Sequence, residues 1–164
     1  DTWNANQTLP SAIRSSVNWY FQTLDRQLGA DVITNYLQKT GYGNKNISGG
    51  LSDYWLGSSL KISPVEQVEL LTKLYTNEFD FDPEHIQAVK DAIFLSSSKT
   101  GRFYGKTGTG RVDGYDVNGW FVGITETSDN VYFFATNIGA DIGAAGSVAT
   151  EITMSILSDL NIWK

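Results

Sequence analysis

The sequence has no cysteine and one histidine, His85. No disulfide therefore fixes a compartment, and the two scarcities together argue against a structural zinc site or any other metal centre. Basic residues are outnumbered, 12 Lys and Arg against 18 Asp and Glu, and a net charge of −6 gives nucleic acid no basic face to bind. No apolar run approaches the length that crosses a membrane, and Asp1-Thr2-Trp3-Asn4 has none of the character of a signal peptide. Internal repeats and low-complexity linkers are absent as well. What remains is a chain of 164 residues, 41% hydrophobic and rich in aromatics, long enough for one domain with a real core.

The first hundred residues read as mainly helical. From Pro10 a helical period runs through Ile13, Val17, Tyr20, Leu24 and Leu28 and closes at Gly29. Ser16-Val17-Asn18 lies inside it. On a regular helix Ser16 and Asn18 point about 200° apart, so they are either solvated polar residues or a pair that converges where the backbone breaks. A second helix starts at Asp31 as N-cap, carries Val32, Ile33, Tyr36 and Leu37, and ends near Gly41. Tyr42-Gly43-Asn44 and Asn46–Gly50 are turn chemistry, and the apolar pair Trp55-Leu56 either covers the core or walls a dry pocket. Ser63-Pro64-Val65-Glu66 is a capping box opening a helix with Val68, Leu71, Leu74 and Tyr75, and Asp82-Pro83 opens another with Ile86, Val89 and Ile93. His85, Asp80, Asp82 and Glu84 read as solvated, capping or helix-dipole residues rather than catalytic ones.

Two literal S-x-x-K matches invite a serine nucleophile with a lysine base. Ser58-Ser59-Leu60-Lys61 fails because the capping box starts its helix after Lys61, which leaves no helical turn between the two side chains. Ser96-Ser97-Ser98-Lys99 falls in a polar loop.

The last third changes period. Residues 102–107, 117–126 and 131–138 read as three strands, the last two joined antiparallel by the hairpin Ser128-Asp129-Asn130. Gly119 and Gly123 share a side of the middle strand and predict a close neighbour there. After a glycine- and alanine-rich loop, Val148, Ile152, Ile156 and Leu160 form the apolar stripe of a terminal helix over the sheet. The first strand ends in Lys106-Thr107-Gly108-Thr109-Gly110: a fixed positive charge, two hydroxyl donors and glycines that admit close approach, a set suited to a carboxylate-bearing substrate. A P-loop is excluded, since its first glycine would fall at Thr100 and Gly108, Gly110 and Gly114 forbid the helix that must follow.

In order along the chain, Ser16-Val17-Asn18, Tyr42-Gly43-Asn44, Trp55-Leu56 running into Ser59–Gln67, Lys106-Thr107-Gly108 and Gly119–Gly123 resemble the class D (oxacillinase-type) serine β-lactamases and the related sensor domains of membrane-anchored β-lactam receptors. The resemblance runs from about Trp3 to the C-terminus. It implies an α+β fold in which an antiparallel sheet is flanked by helices. Residues 1–164 would be the C-terminal portion of one domain, 1–100 mainly helical and 101–164 strands plus a terminal helix. It implies that Ser16 relays a proton to the β-lactam nitrogen and that Lys106 and Thr107 hold the ring carboxylate. The backbone after Thr107, near Thr109, would supply one oxyanion donor, and Trp55 and Leu56 would pack on a lysine carboxylated by carbon dioxide, with no other cofactor.

The nucleophile and that lysine, a true S-x-x-K upstream of Ser16, are not in this sequence, so a complementary N-terminal segment of the same domain is an expected partner beside the β-lactam. Asp141–Gly146 also lacks the carboxylate-gripping arginine that many class D enzymes carry, which leaves more of that contact to Lys106, Thr107 and Thr109. The resemblance implies a secreted, periplasmic or cell-surface location. Trp55-Leu56 favours a hydrolase of penicillin-type β-lactams, which is the preferred reading; Asn18 leans toward the alternative, a receptor that is acylated without turnover and contacts a membrane elsewhere in the protein.

Overall fold

The computed structural model describes residues 2–99 and 101–163. Asp1, Thr100 and Lys164, which bound the two parts drawn from the sequence, lie outside the described residues. After a 3₁₀ turn at Thr2–Asn4 come α1 (Leu9–Arg14), α2 (Asn18–Leu28), α3 (Ala30–Thr40), α4 (Pro64–Tyr75) and α5 (Pro83–Ala92). The strands β1 (Phe94–Ser98), β2 (Gly101–Val112), β3 (Tyr115–Thr127) and β4 (Val131–Gly139) follow, then α6 (Gly146–Asp159). The capping signals act as read: Ser63 and Glu66 bond reciprocally at the start of α4, and Asp82 caps α5.

The sheet is antiparallel in the order β1-β2-β3-β4. Its register places Phe103, Phe121 and Phe134 on one face, where α6 packs through Ala149 and Leu157. Phe103 is stacked between Phe134 and Trp163, with ring centroids 5.6 and 5.2 Å away. Tyr104, Glu126 and Phe133 line the opposite face, where Tyr75 of α4 meets Phe133 edge-on at 5.5 Å. The site therefore belongs to a sheet with helices on both sides.

Several expectations need correction. The sheet has four strands among the described residues, not three, because Ser96-Ser97-Ser98 is part of β1 rather than a loop. All five β1 residues are exposed, and only Phe94 and Leu95 are apolar, so an edge strand bonded through its backbone left no alternating apolar pattern. Lys106 does not end its strand. It pairs with Val122 in the middle of β2, which continues through Gly108 and Gly110 to a two-residue turn at Asp113-Gly114, both at positive φ. Glycines carry ladder hydrogen bonds as well as any residue when the facing strand supplies the side chains, here Trp120 and Asn118.

The expected single helix from Pro10 is two, α1 and α2, and α3 is capped by Gly29 with Asp31 inside its first turn. The stripe assigned to α6 faces outward: Ile152, Ile156 and Leu160 are 39, 49 and 62% exposed, while Gly146, Ala149, Thr153 and Leu157 are buried. Small residues win because the backbones nearly touch. A Cβ on Gly146 would lie 2.7 Å from the Gly108 carbonyl oxygen, and one on Gly119 would lie 2.4 Å from that of Ala145. Gly119 thus has the close neighbour its sequence position predicts, and Gly123 has one too, against Phe134 and the Tyr104 carbonyl.

Candidate active site

The break between α1 and α2 builds the first side of the site. Val17 is fully buried and its amide bonds the Ala12 carbonyl, while the Ser15 carbonyl accepts from the Trp3 indole at 3.1 Å. With its neighbours pinned, Ser16 takes φ +53°, in the left-handed region that costs an L-residue about 1–2 kcal/mol. That turn directs Oγ toward the sheet instead of along a helix. Lys106, projecting from the middle of β2, donates to Ser16 Oγ at 2.5 Å across 90 residues of sequence. The same ammonium donates to the Thr107 carbonyl at 2.8 Å, and burial lowers its pKa from the ordinary lysine value. The backbone break that would let Ser16 and Asn18 converge is present, and it brings Ser16 to Lys106. Asn18, by contrast, is the first residue of α2 and half-buried.

The second side is the edge of β2. Pairing with β1 stops at Tyr104, and the last bond across it is from the Gly105 amide to the Ile93 carbonyl, 2.8 Å. In an antiparallel ladder, amides two residues apart point to the same edge, so those of Thr107 and Thr109 face the gap where β1 has ended. Thr109 Oγ1 accepts the Gly146 amide, the first of α6, at 3.0 Å, which leaves the Thr109 hydroxyl proton free to donate. Gly108 has only the Trp120 Cβ near the position of its own missing Cβ, and so keeps this edge low.

A cavity of about 200 Å³ opens here, lined by Lys106 and Thr107 together with Arg14 of α1 and the apolar Phe94, Leu95 and Phe121, among others. Arg14 carries no sequence signal; it is one more polar residue in a helical period. Trp55 and Leu56 do not line this cavity. The Trp55 indole donates to Asp25 of α2 at 3.0 Å and Leu56 is exposed. The S-x-x-K matches are not pairs either. Lys61 donates to the Gly57 carbonyl rather than to Ser58, and Ser96 stands on an exposed strand three residues from Lys99.

A polar cluster on the helix-packed face of the sheet also escaped the sequence. Glu126 accepts from Lys90 at 2.6 Å, from Tyr75 at 3.0 Å and from Tyr104 at 3.1 Å, tying α4 and α5 to β2 and β3. Among the described residues no group of acidic, histidine or cysteine side chains is placed to hold a metal ion, and no helix is long and apolar enough to cross a membrane.

Comparison with known proteins gives three further findings. The family model of the penicillin binding protein transpeptidase domain matches residues 1–158. The chain is 50% identical over 161 residues to the regulatory protein BlaR1 of Bacillus licheniformis, which takes in 98% of this chain and 27% of that protein. Two solved structures superpose closely. The C-terminal domain of the Bacillus licheniformis BlaR penicillin-receptor does so with a TM-score of 0.93 at 49% identity, over 99% of this chain and 66% of that one. A class D β-lactamase from Bacillus subtilis does so with a TM-score of 0.91 at 39% identity, again over 99% and 66%. The chain thus spans about a quarter of the full-length relative.

Proposed function

Because the chain belongs to the penicillin binding protein transpeptidase family, we propose that it forms part of a β-lactam-recognising serine acyl-transfer domain and supplies its proton relay and carboxylate seat. The hydrogen bond from Lys106 to Ser16 carries this reading. A relay needs a hydroxyl whose oxygen is held by a cation while its own proton stays available. Ser16 is in that state: its oxygen accepts from Lys106, so its O–H is free to reach the ring nitrogen. As the acyl C–N bond breaks, the Ser16 proton passes to nitrogen and an ammonium proton of Lys106 replaces it. Thr107 and Thr109 offer hydroxyl protons to the ring carboxylate, and the Thr109 amide at the open edge is the donor for the developing oxyanion.

The nucleophile and the lysine carboxylated by carbon dioxide would stand on a complementary segment of the same domain. That segment would cover the open edge of β4 and the outward residues of α6. Of the two fates of the acyl group, we favour retention, as in a sensor, over hydrolysis. The relative at 50% identity is a regulatory protein, and its solved domain is described as a penicillin-receptor. A cell-surface location accords with that choice.

The test is incubation of the complete protein with a penicillin, followed by intact mass spectrometry over hours. A stoichiometric acyl mass that persists supports the sensor, and its decay with release of penicilloate supports the hydrolase. No adduct at any time ends the acyl-transfer reading.

A further inference from the structure

Lys106 cannot seat a carboxylate alone. Its ammonium has three donors, and two are already committed to Ser16 Oγ and to the Thr107 carbonyl. An ionised carboxylate has about four lone-pair sites to satisfy. The loop 140–145, which leads into α6, supplies no basic residue. Arg14 lines the same cavity as Lys106 and Thr107, and no carboxylate stands among the lining residues.

The protein has an excess of acids, and among the described residues two cations pair with them, Lys90 with Glu126 and Arg111 with Asp116. The Arg14 side chain makes no ion pair or hydrogen bond to a described residue. It is the last residue of α1, two positions before Ser16, so the same break that aims the serine also brings this residue to the cavity wall. Two cations facing a small, otherwise largely apolar cavity select a compact anion. A guanidinium grips a carboxylate with two parallel N–H donors in a way an ammonium does not.

We propose that Arg14 is a ligand-binding residue that grips the ring carboxylate of the β-lactam, sharing it with Lys106 and Thr107. This rests on the β-lactam reading of the site. The experiment uses the complete protein and compares second-order acylation by a penicillin with that by its carboxylate methyl ester, for wild type, Arg14→Gln and Arg14→Lys. The glutamine variant should acylate ~10–100-fold more slowly with the free acid, the range of a lost charge-assisted contact. It should match wild type on the ester within about twofold, as that ligand has no charge for Arg14 to pair. The lysine variant should recover part of the loss, and thermal midpoints should stay together. Equal losses on acid and ester, or no loss on either, overturn the assignment of Arg14 alone. A wild-type protein that neither ligand acylates overturns the parent reading instead.

Discussion

Replacing Glu126 by glutamine keeps the size and planarity of the side chain but removes the charge that Lys90, Tyr75 and Tyr104 surround. The Glu126 and Lys90 side chains are 21 and 19% exposed, so the pair is neither a surface bridge nor a sealed one. Exposed pairs contribute about 0.2–1 kcal/mol, and stripping one partner from a buried pair costs about 3–5 kcal/mol. At one-fifth exposure we expect a loss of roughly 2 kcal/mol, which for a domain of this size lowers the melting midpoint by about 4–8 °C.

The pH dependence is the sharper part of this prediction. Burial pulls the Glu126 pKa up, but Lys90 and the two tyrosine hydroxyls outweigh it and hold the carboxyl below the usual range. A carboxylate with a depressed folded pKa contributes fully above its unfolded pKa, about 4.3, and loses that contribution as pH falls through the folded value. Melts of the complete protein should therefore separate wild type from Glu126→Gln at pH 7 and draw the two together as pH falls below the unfolded pKa and through the folded one. Equal midpoints at pH 7, or a gap that persists in acid, would refute the reasoning.

Lys106→Ala should lower the acylation rate of the complete protein at least ~100-fold, the scale of a lost acid–base group, with a much smaller change in melting point; parallel losses in both would mark a structural lysine. Gly119→Val should cost about 2–3 kcal/mol, because its Cβ would meet the Ala145 backbone at 2.4 Å and push the α6 start off the sheet, and calorimetry reads this directly. The 164-residue chain alone should form no covalent penicillin adduct, whereas adding the complementary segment should restore one. An acyl mass on the isolated chain mapped to Ser16, Ser58 or Ser96 would overturn our reading of the nucleophile.

The parts of this structure legible in the sequence are those with local causes. Ser63-Pro64 and Asp82-Pro83 announce their helices because caps act within one turn. Ser128–Asn130 announces the β3–β4 hairpin for the same reason, through the 2.8 Å bond from the Thr127 amide to the Asn130 carbonyl. Illegible parts were set from a distance. The outward stripe of α6 was misread because the number of apolar atoms does not reveal how close two backbones come, and Gly108, Gly119 and Gly146 decide that here. The Glu126 cluster joins residues 75, 90, 104 and 126, and no periodicity links them. Of the candidate site, Ser16 and Lys106 were legible as a motif pair. Arg14 was not, and Trp55 sits on Asp25, a partner 30 residues away.

The left-handed turn at Ser16 places folding and chemistry in opposition at a single position. Glycine there would relieve the backbone at no steric cost, and the surrounding pins, Val17 and the Trp3 indole, would hold the same path without the hydroxyl. A population of variants sorted only for heat resistance should accumulate glycine or asparagine at position 16, and one sorted for β-lactam response should retain serine. The residue is a record of which of those two pressures has acted on the chain.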